Sequence, residues 1–369
     1  MSNSLGERFR ITSFGESHGK CVGVVIDGCP SGLPLSEDDI QPELNRRRPG
    51  QSQITTKRQE EDQVEILSGI FNGYTTGAPI CMLVWNKDVD SSKYELFSSV
   101  PRPGHADFTA RQKYGGFNDY RGGGRFSGRI TASFVMAGAV ARKLLRDVLK
   151  VDIAAYTIQI GGIKAKKIED VEIIKKTVEK TPVRTADLDV AEKMIDLIIQ
   201  SEKEGDSVGG IVQCVATNVP IGLGEPVFSS LESDISKAIF SIPAVKGIEF
   251  GKGFGVSELK GSENNDAFIM EDRKILSKTN NSGGILGGIS SGMPITFRVA
   301  VKPTPSIRKK QDSVNILEKQ ETTIQIEGRH DPCLVPRAVP VIESMTAVVL
   351  VDHALKYGIM PQIIKGAIS

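Results

Sequence analysis

One run constrains this chain more than any other: Thr131 to Leu145 (TASFVMAGAVARKLL) is apolar nearly all round, with charge entering only at Arg142 and Lys143. It reads as a helix buried on every side, and it is rich in small residues (Ala132, Ala137, Gly138, Ala139, Ala141). What precedes it is polar and glycine-rich: RPGHADFTARQKYGGFNDYRGGGRFSGRI from Arg102 to Ile130. Consecutive glycines, Gly122 to Gly124, let backbone N–H groups approach a ligand closely. A helix start adds unpaired N–H groups and a partial positive charge. Arg121, Arg125 and Arg129, spaced by four, add charge-assisted donors suited to phosphate. The stretch reads either as an anion cradle rooted in the core or as a glycine-rich hairpin tip with solvated arginines. These residues alone leave the two open.

Charge balance narrows the field. The 369 residues carry 46 Lys and Arg against 45 Asp and Glu, so no global field recruits nucleic acid or an anionic membrane, and anion binding must be local. Arg46, Arg47 and Arg48 lack the aromatic interleaving of a nucleic-acid surface. The five cysteines (Cys21, Cys29, Cys81, Cys214, Cys333) are scattered without a C-x-x-C, which fits reduced thiols in a cytoplasmic protein. No signal or transit segment is expected after Met1, and the apolar run Met345 to Val351 is too short to span a bilayer.

Along the chain, strands are expected at Arg8 to Thr12, Cys21 to Asp27, Gln63 to Ile70, Pro79 to Trp85, Val151 to Ile160 and Ile211 to Ala216. Helices are expected from Ser36 to the Arg46–Gly50 stop, at Asp187 to Glu204, at Ser233 to Phe240 and at Val341 to Leu355. Asp88 to Val100 reads as loop. Ser36 with Asp39 resembles a capping box. A weak repeat runs through this order. Gly28 to Leu33 (GCPSGL) is echoed by Asn218 to Leu223 (NVPIGL), and Gly77 to Ile80 (GAPI) by Gly292 to Ile295 (GMPI). Two matches in the same order suggest a duplicated half. No Pro/Ser linker separates the halves, so residues 1–369 are expected to form one domain of two pseudo-repeated lobes.

Of four histidines, His18, His105 and His330 sit in Gly- or Pro-bounded polar turns, where a proton can be exchanged near neutral pH. His353, on the C-terminal helix, reads as structural. Asp331 before Pro332 could be no more than a helix N-cap. His18 and Cys21 have metal-like spacing but no second ligand pair follows, so no metal is expected. There is neither a phosphate-binding G-x-x-x-x-G-K-[ST] loop nor a Rossmann fingerprint. A second glycine-rich region, Asn281 to Gly292, and the following Lys302-Pro303-Thr304-Pro305-Ser306 are compatible with phosphate, or with a tight turn between strands.

The chain resembles the chorismate synthase family. GESHG, RRRPGQ, TTGAPI, RPGHAD, YRGGGR, GDSVGG, GLGEPVF, GGILGGISSG and GRHDP follow in order along nearly its whole length. The resemblance implies an α+β sandwich, a helical layer between antiparallel sheets, assembled as a homotetramer. It implies an anti-1,4-elimination of phosphate from 5-enolpyruvylshikimate 3-phosphate that gives chorismate and requires reduced FMN without net redox change. By the same likeness, His18 protonates the leaving phosphate, His105 donates a proton to the bound flavin, and Asp331 works with the flavin when the C6 proton is removed. Arg47, Arg48 and Arg129 match positions around the substrate's anionic groups. Arg125, Phe126, Ser127, Ala244, Gly287, Lys302, Pro303, Thr304, Pro305, Ser306 and Arg329 match flavin-contacting positions.

Departures are local. Where the family loop commonly reads RSSARET, this chain has Phe126, Gly128 and Ile130 at the small polar, Ala and Glu positions. Gln53 replaces a common basic residue, and Pro243 a common Asn. With no reductase domain in view, an external flavin reductant is expected rather than efficient NADPH use. The rival reading is an FMN-dependent oxidoreductase acting on a phosphorylated anion, which would consume reductant at each turnover.

Overall fold

The computed structural model describes residues 3–51, 54–55, 60–87, 92–326 and 330–364. Cys21–Asp27 shows how its strands arise: Val22, Val24 and Ile26 are fully buried, as period-two alternation requires of a half-covered sheet. This strand lies within a five-stranded antiparallel sheet ordered Ser4–Leu5, Arg10–Gly15, Cys21–Asp27, Ile80–Trp85, Val64–Ser68. A second antiparallel sheet is ordered Val245–Phe250, Ile295–Val301, Gly210–Thr217, Asp152–Ile160, Ile163–Lys164.

Four strands of each sheet have the same layout. Taken in chain order they lie side by side as first, second, fourth, third. A helix (Glu37–Arg47 or Leu231–Phe240) joins the second to the third, and a long helix (Thr131–Leu144 or Val335–Lys356) follows the fourth. The paired turns of the sequence fall at equivalent places in the two sets of strands, before the joining helix and at the start of the fourth strand.

The two long helices form the middle layer, one covering each sheet. They cross closely at Gly138, where an added Cβ would come within 2.1 Å of Ser344 Cβ. Val335–Lys356 is long and apolar enough to cross a membrane, but here it is core. It begins earlier than Val341 because Pro336 is tolerated in its first turn. Pro340, inside, cannot donate to the carbonyl of Pro336, and Arg184 Nη1 takes that acceptor at 2.8 Å. Buried charge ties the layer together: Glu343 accepts from Arg46 Nη1 at 2.5 Å, Arg142 Nη1 at 3.0 Å and Ala155 N at 2.8 Å. Asp352 Oδ1 accepts from the backbone N–H groups of Glu7, Arg8 and Phe9 at 2.9, 2.6 and 2.9 Å. His353 Nε2 meets Asp234 Oδ2 at 2.9 Å, a structural role as expected.

Two expectations change. Within the segment read as loop, Ser92–Ser98 is a 3-10 helix, and its Phe97 packs with Val100, Ile324 and Ile326. Asp331 is not a cap: the last helix has Leu334 at its N-cap, and the Asp331 carboxylate pairs with Arg337 one turn further on.

Candidate active site

A cavity of about 650 Å³ opens where the glycine-rich loop, the Pro103-Gly104-His105 turn, the strand end at Val301 and the start of the last helix converge. The loop is shaped by left-handed backbone at Gly122, Gly123 and Gly124 (φ 59°, 82° and 50°). Only glycine fits at Gly122, because a Cβ there would lie 2.3 Å from the His18 ring. His18 is thereby buried beneath the loop, with Tyr94 edge-on at 4.9 Å.

The turn carrying His105 is locked by Arg102 and Asp107, whose Nε–Oδ2 and Nη2–Oδ1 distances are 2.7 and 2.8 Å. Lys302 Nζ donates to Gly104 O at 2.6 Å, and His105 Nε2 lies 2.7 Å from Ser306 Oγ. Burial first, then the Arg102 charge, pushes His105 down to about 3. The same causes in the same order push His330 down to about 4. Both imidazoles are therefore neutral at neutral pH. Asp331, also buried, is held against Arg337.

Part of the wall is cationic. Arg47 donates to Asp62 Oδ2 at 2.9 Å, Thr131 Oγ1 at 3.0 Å and Gly128 O at 2.8 Å. Arg129 donates to Asp62 Oδ1 and, at 2.8 Å, to Asn86 Oδ1. Burial is the largest influence on the Asp62 carboxyl and acts upward, but the two guanidiniums together outweigh it and hold the group below the ordinary carboxylate range.

Of the residues singled out in the sequence, His18, His105 and Asp331 line this cavity. So do Arg47, Arg129, Arg125, Phe126, Ser127, Ala244, Lys302, Thr304, Pro305 and Ser306. Ala244 does so in left-handed backbone (φ 72°), which a non-glycine residue adopts only when its surroundings require it. Arg48 is exposed beyond the first helix, Gly287 is an exposed hairpin turn, and Pro303 is not on the wall. Arg329 and Gln53 lie outside the described residues. The evenly spaced arginines do not all converge: Arg125 and Arg129 line the cavity, whereas Arg121 is exposed and paired with Asp119 at 2.8 Å. Helical spacing misleads here because the glycine-rich loop is not an α-helix. Tyr94, Arg102, Arg337 and Asp62 were not singled out. Arg102 and Asp107 bracketing a histidine was a visible signal, whereas nothing in the sequence marks Asp62. Among the described residues, no group of three or more His, Cys, Asp or Glu is placed to hold a metal.

A model of the chorismate synthase family matches residues 9–355. The chain is 57% identical over 365 residues to the chorismate synthase of Dehalococcoides mccartyi strain BAV1, covering 99% of this chain and all of that one. The chain belongs to the chorismate synthase family. The chorismate synthase of Methanosarcina acetivorans is 56% identical over 356 residues, covering 96% of this chain and 97% of its own. A chorismate synthase crystal structure superposes with a TM-score of 0.75 at 30% identity, covering 95% of this chain and 93% of that one. The α+β sandwich is thus the fold of a chorismate synthase, and the chain is an enzyme of the carbon–oxygen lyase class.

Proposed function

We propose that the cavity eliminates phosphate from 5-enolpyruvylshikimate 3-phosphate to give chorismate with the help of reduced FMN. The observation that carries this reading is the pairing, in one cavity, of neutral buried histidines with a wall of buried guanidiniums. The family membership supplies the substrate.

The residues present fit a flavin. Thr304 Oγ1 is buried on the wall with no hydrogen-bond partner among the described residues, the kind of orphan a ligand satisfies. Ala244, Lys302, Thr304, Ser306, Arg125 and Ser127 would hold the group, with Phe126 half-exposed beside Tyr114 at 6.4 Å. Reduced flavin, when bound, supplies electron density to the substrate ring and regains it at the end of the turnover. The chain's own part is to bind two anions, exclude water and manage protons. His18 gives its proton to the departing phosphate. His105, oriented by Ser306, carries a proton at the flavin side. Asp331, steadied by Arg337, serves removal of the C6 proton. Arg47 and Arg129 face the substrate's anionic groups.

Anaerobic release of phosphate with dithionite-reduced FMN tests the reading. Many turnovers per charge of reduced flavin are expected. One NADPH consumed per product would replace it with the oxidoreductase reading, and rapid reduction of FMN by NADPH with this chain alone would remove the need for an external reductant. Self-association into a homotetramer draws support from the hairpin Phe268–Glu271/Lys274–Ser277, which exposes Phe268, Met270 and Ile275 at 68%, 70% and 60%. A monomer by light scattering at micromolar concentration would count against it. The remaining expectations are a cytoplasmic location and no binding to nucleic acid, which a mobility-shift assay in physiological salt would check.

A further inference from the structure

Asp62 carries none of the roles assigned above, yet it lies beneath two residues that do. Its side chain is wholly inaccessible, and its two carboxylate oxygens are divided between Arg47 and Arg129. Its backbone is pinned from the first helix: Gln41 Nε2 donates to Asp62 O at 3.1 Å, and Gln41 Oε1 accepts from Val64 N at 3.0 Å. It adopts left-handed backbone (φ 48°), which Asp tolerates better than most residues. The segment is thus bent and fastened so that this one carboxylate points inward.

We propose that Asp62 is a positioning residue that fixes the guanidiniums of Arg47 and Arg129 against the anionic groups of the substrate. This rests on the function proposed above.

Stoichiometry argues for it. An ion pair that serves stability alone is neutral, and an apolar pair of similar volume would often serve as well. Here, among the described residues, one carboxylate is shared by two guanidiniums, one positive charge more than that shared partner can balance. A buried charge without a counterion is costly, so the arrangement suits a site where an incoming anion completes the set. Geometry argues for it too. Arg47 has three groups holding it, Asp62, Thr131 and Gly128, on different donors. Arg129 is held by Asp62 and Asn86 and weakly by Trp85 O at 3.4 Å. Each guanidinium has five N–H donors, so both keep donors in hand while their planes are set. Among the described residues Asp62 is the one partner they share.

The test uses the intact chain in the anaerobic assay, with wild type as reference, so absence of wild-type turnover would indict the functional reading rather than this one. For Asp62→Asn the KM for 5-enolpyruvylshikimate 3-phosphate should rise about 10- to 100-fold, the scale on which small misplacements act. The KM for FMN should stay within about threefold, a split that a general loss of structure would not produce. Asp62→Glu, which keeps the charge and moves it by one methylene, should recover part of the loss. In an Arg129→Lys background, Asp62→Asn should add about twofold or less, because linked residues are not additive. Calorimetric titration with the substrate alone should show the same order of affinities. An unchanged substrate KM in Asp62→Asn, or equal loss toward substrate and FMN, would overturn the proposal. If Asp62→Asn does not fold, Asp62→Glu decides: a raised substrate KM at wild-type melting temperature supports it, and an unchanged KM overturns it.

Discussion

On the wall of one cavity His105 and His330 are buried as neutral rings, while Arg47 and Arg129 are buried as charges around Asp62. The same loss of water acts on both. A histidine can answer it by releasing a proton, since its ordinary value lies near neutrality. Burial does lower Arg47, to about 9, but that still leaves it charged at neutral pH, so it has to be given a counterion. Burial alone therefore divides the cavity wall into neutral rings and paired charges, the parts to which the proposed function gives proton handling and anion binding. The residue types decide which is which.

The largest expected effect breaks the proton-handling part directly. His18→Ala should keep the fold and lose turnover by about a hundred- to ten-thousand-fold, the range for a positioned acid. A rate within about threefold of wild type at saturating substrate would take His18 out of the mechanism. Asp331→Asn comes next. Since Asp331 pairs with Arg337 and caps nothing, turnover should fall by about a hundredfold or more while the melting temperature drops only modestly. Equal collapse of both would give Asp331 a structural role instead.

A milder test concerns pH. His105 and His330 drop from an ordinary 6.5 to about 3 and about 4 on folding, so below pH 6.5 the unfolded chain binds protons that the folded chain does not. Stability should therefore fall as pH drops from about 6.5 toward 4, and the loss should level off below the folded values. Replacing both histidines by Gln should flatten that part of a melting-temperature profile; an unchanged slope would mean the rings are not held neutral. The smallest effect is expected at Arg121→Ala. This arginine shares its loop with Arg125 but is solvated and paired with Asp119, so turnover should change by less than about twofold. A large loss would bring Arg121 back into the anion site.

Much of the fold was legible because it follows local rules. Cys21–Asp27 alternates, and Thr131–Leu144 is apolar all round; both occur within a residue of their expected bounds. Ser36 meets its expected partner, its N–H donating to Asp39 Oδ2 at 3.0 Å. The site was legible where residues cluster in sequence, as in GESHG and RPGHAD. It was hidden where partners are distant in sequence. Ser306 reaches His105 across 201 residues, and Asp62 reaches Arg129 across 67, with no periodicity to announce either. The three evenly spaced arginines show the converse, a regular pattern without a regular helix beneath it.

The contact of Asp352 with the amides of Glu7, Arg8 and Phe9 has a consequence for biosynthesis. The ribosome makes these donors 343 residues or more before it makes their acceptor. The segment leading into the His18 strand pair thus emerges long before it can be fastened down. Long-range closure of this kind slows folding, and until it happens the first sheet lacks the helix that completes its anchorage. The last-made helix also brings Arg337 to Asp331. Assembly of the cavity is therefore a late event in the life of the nascent chain.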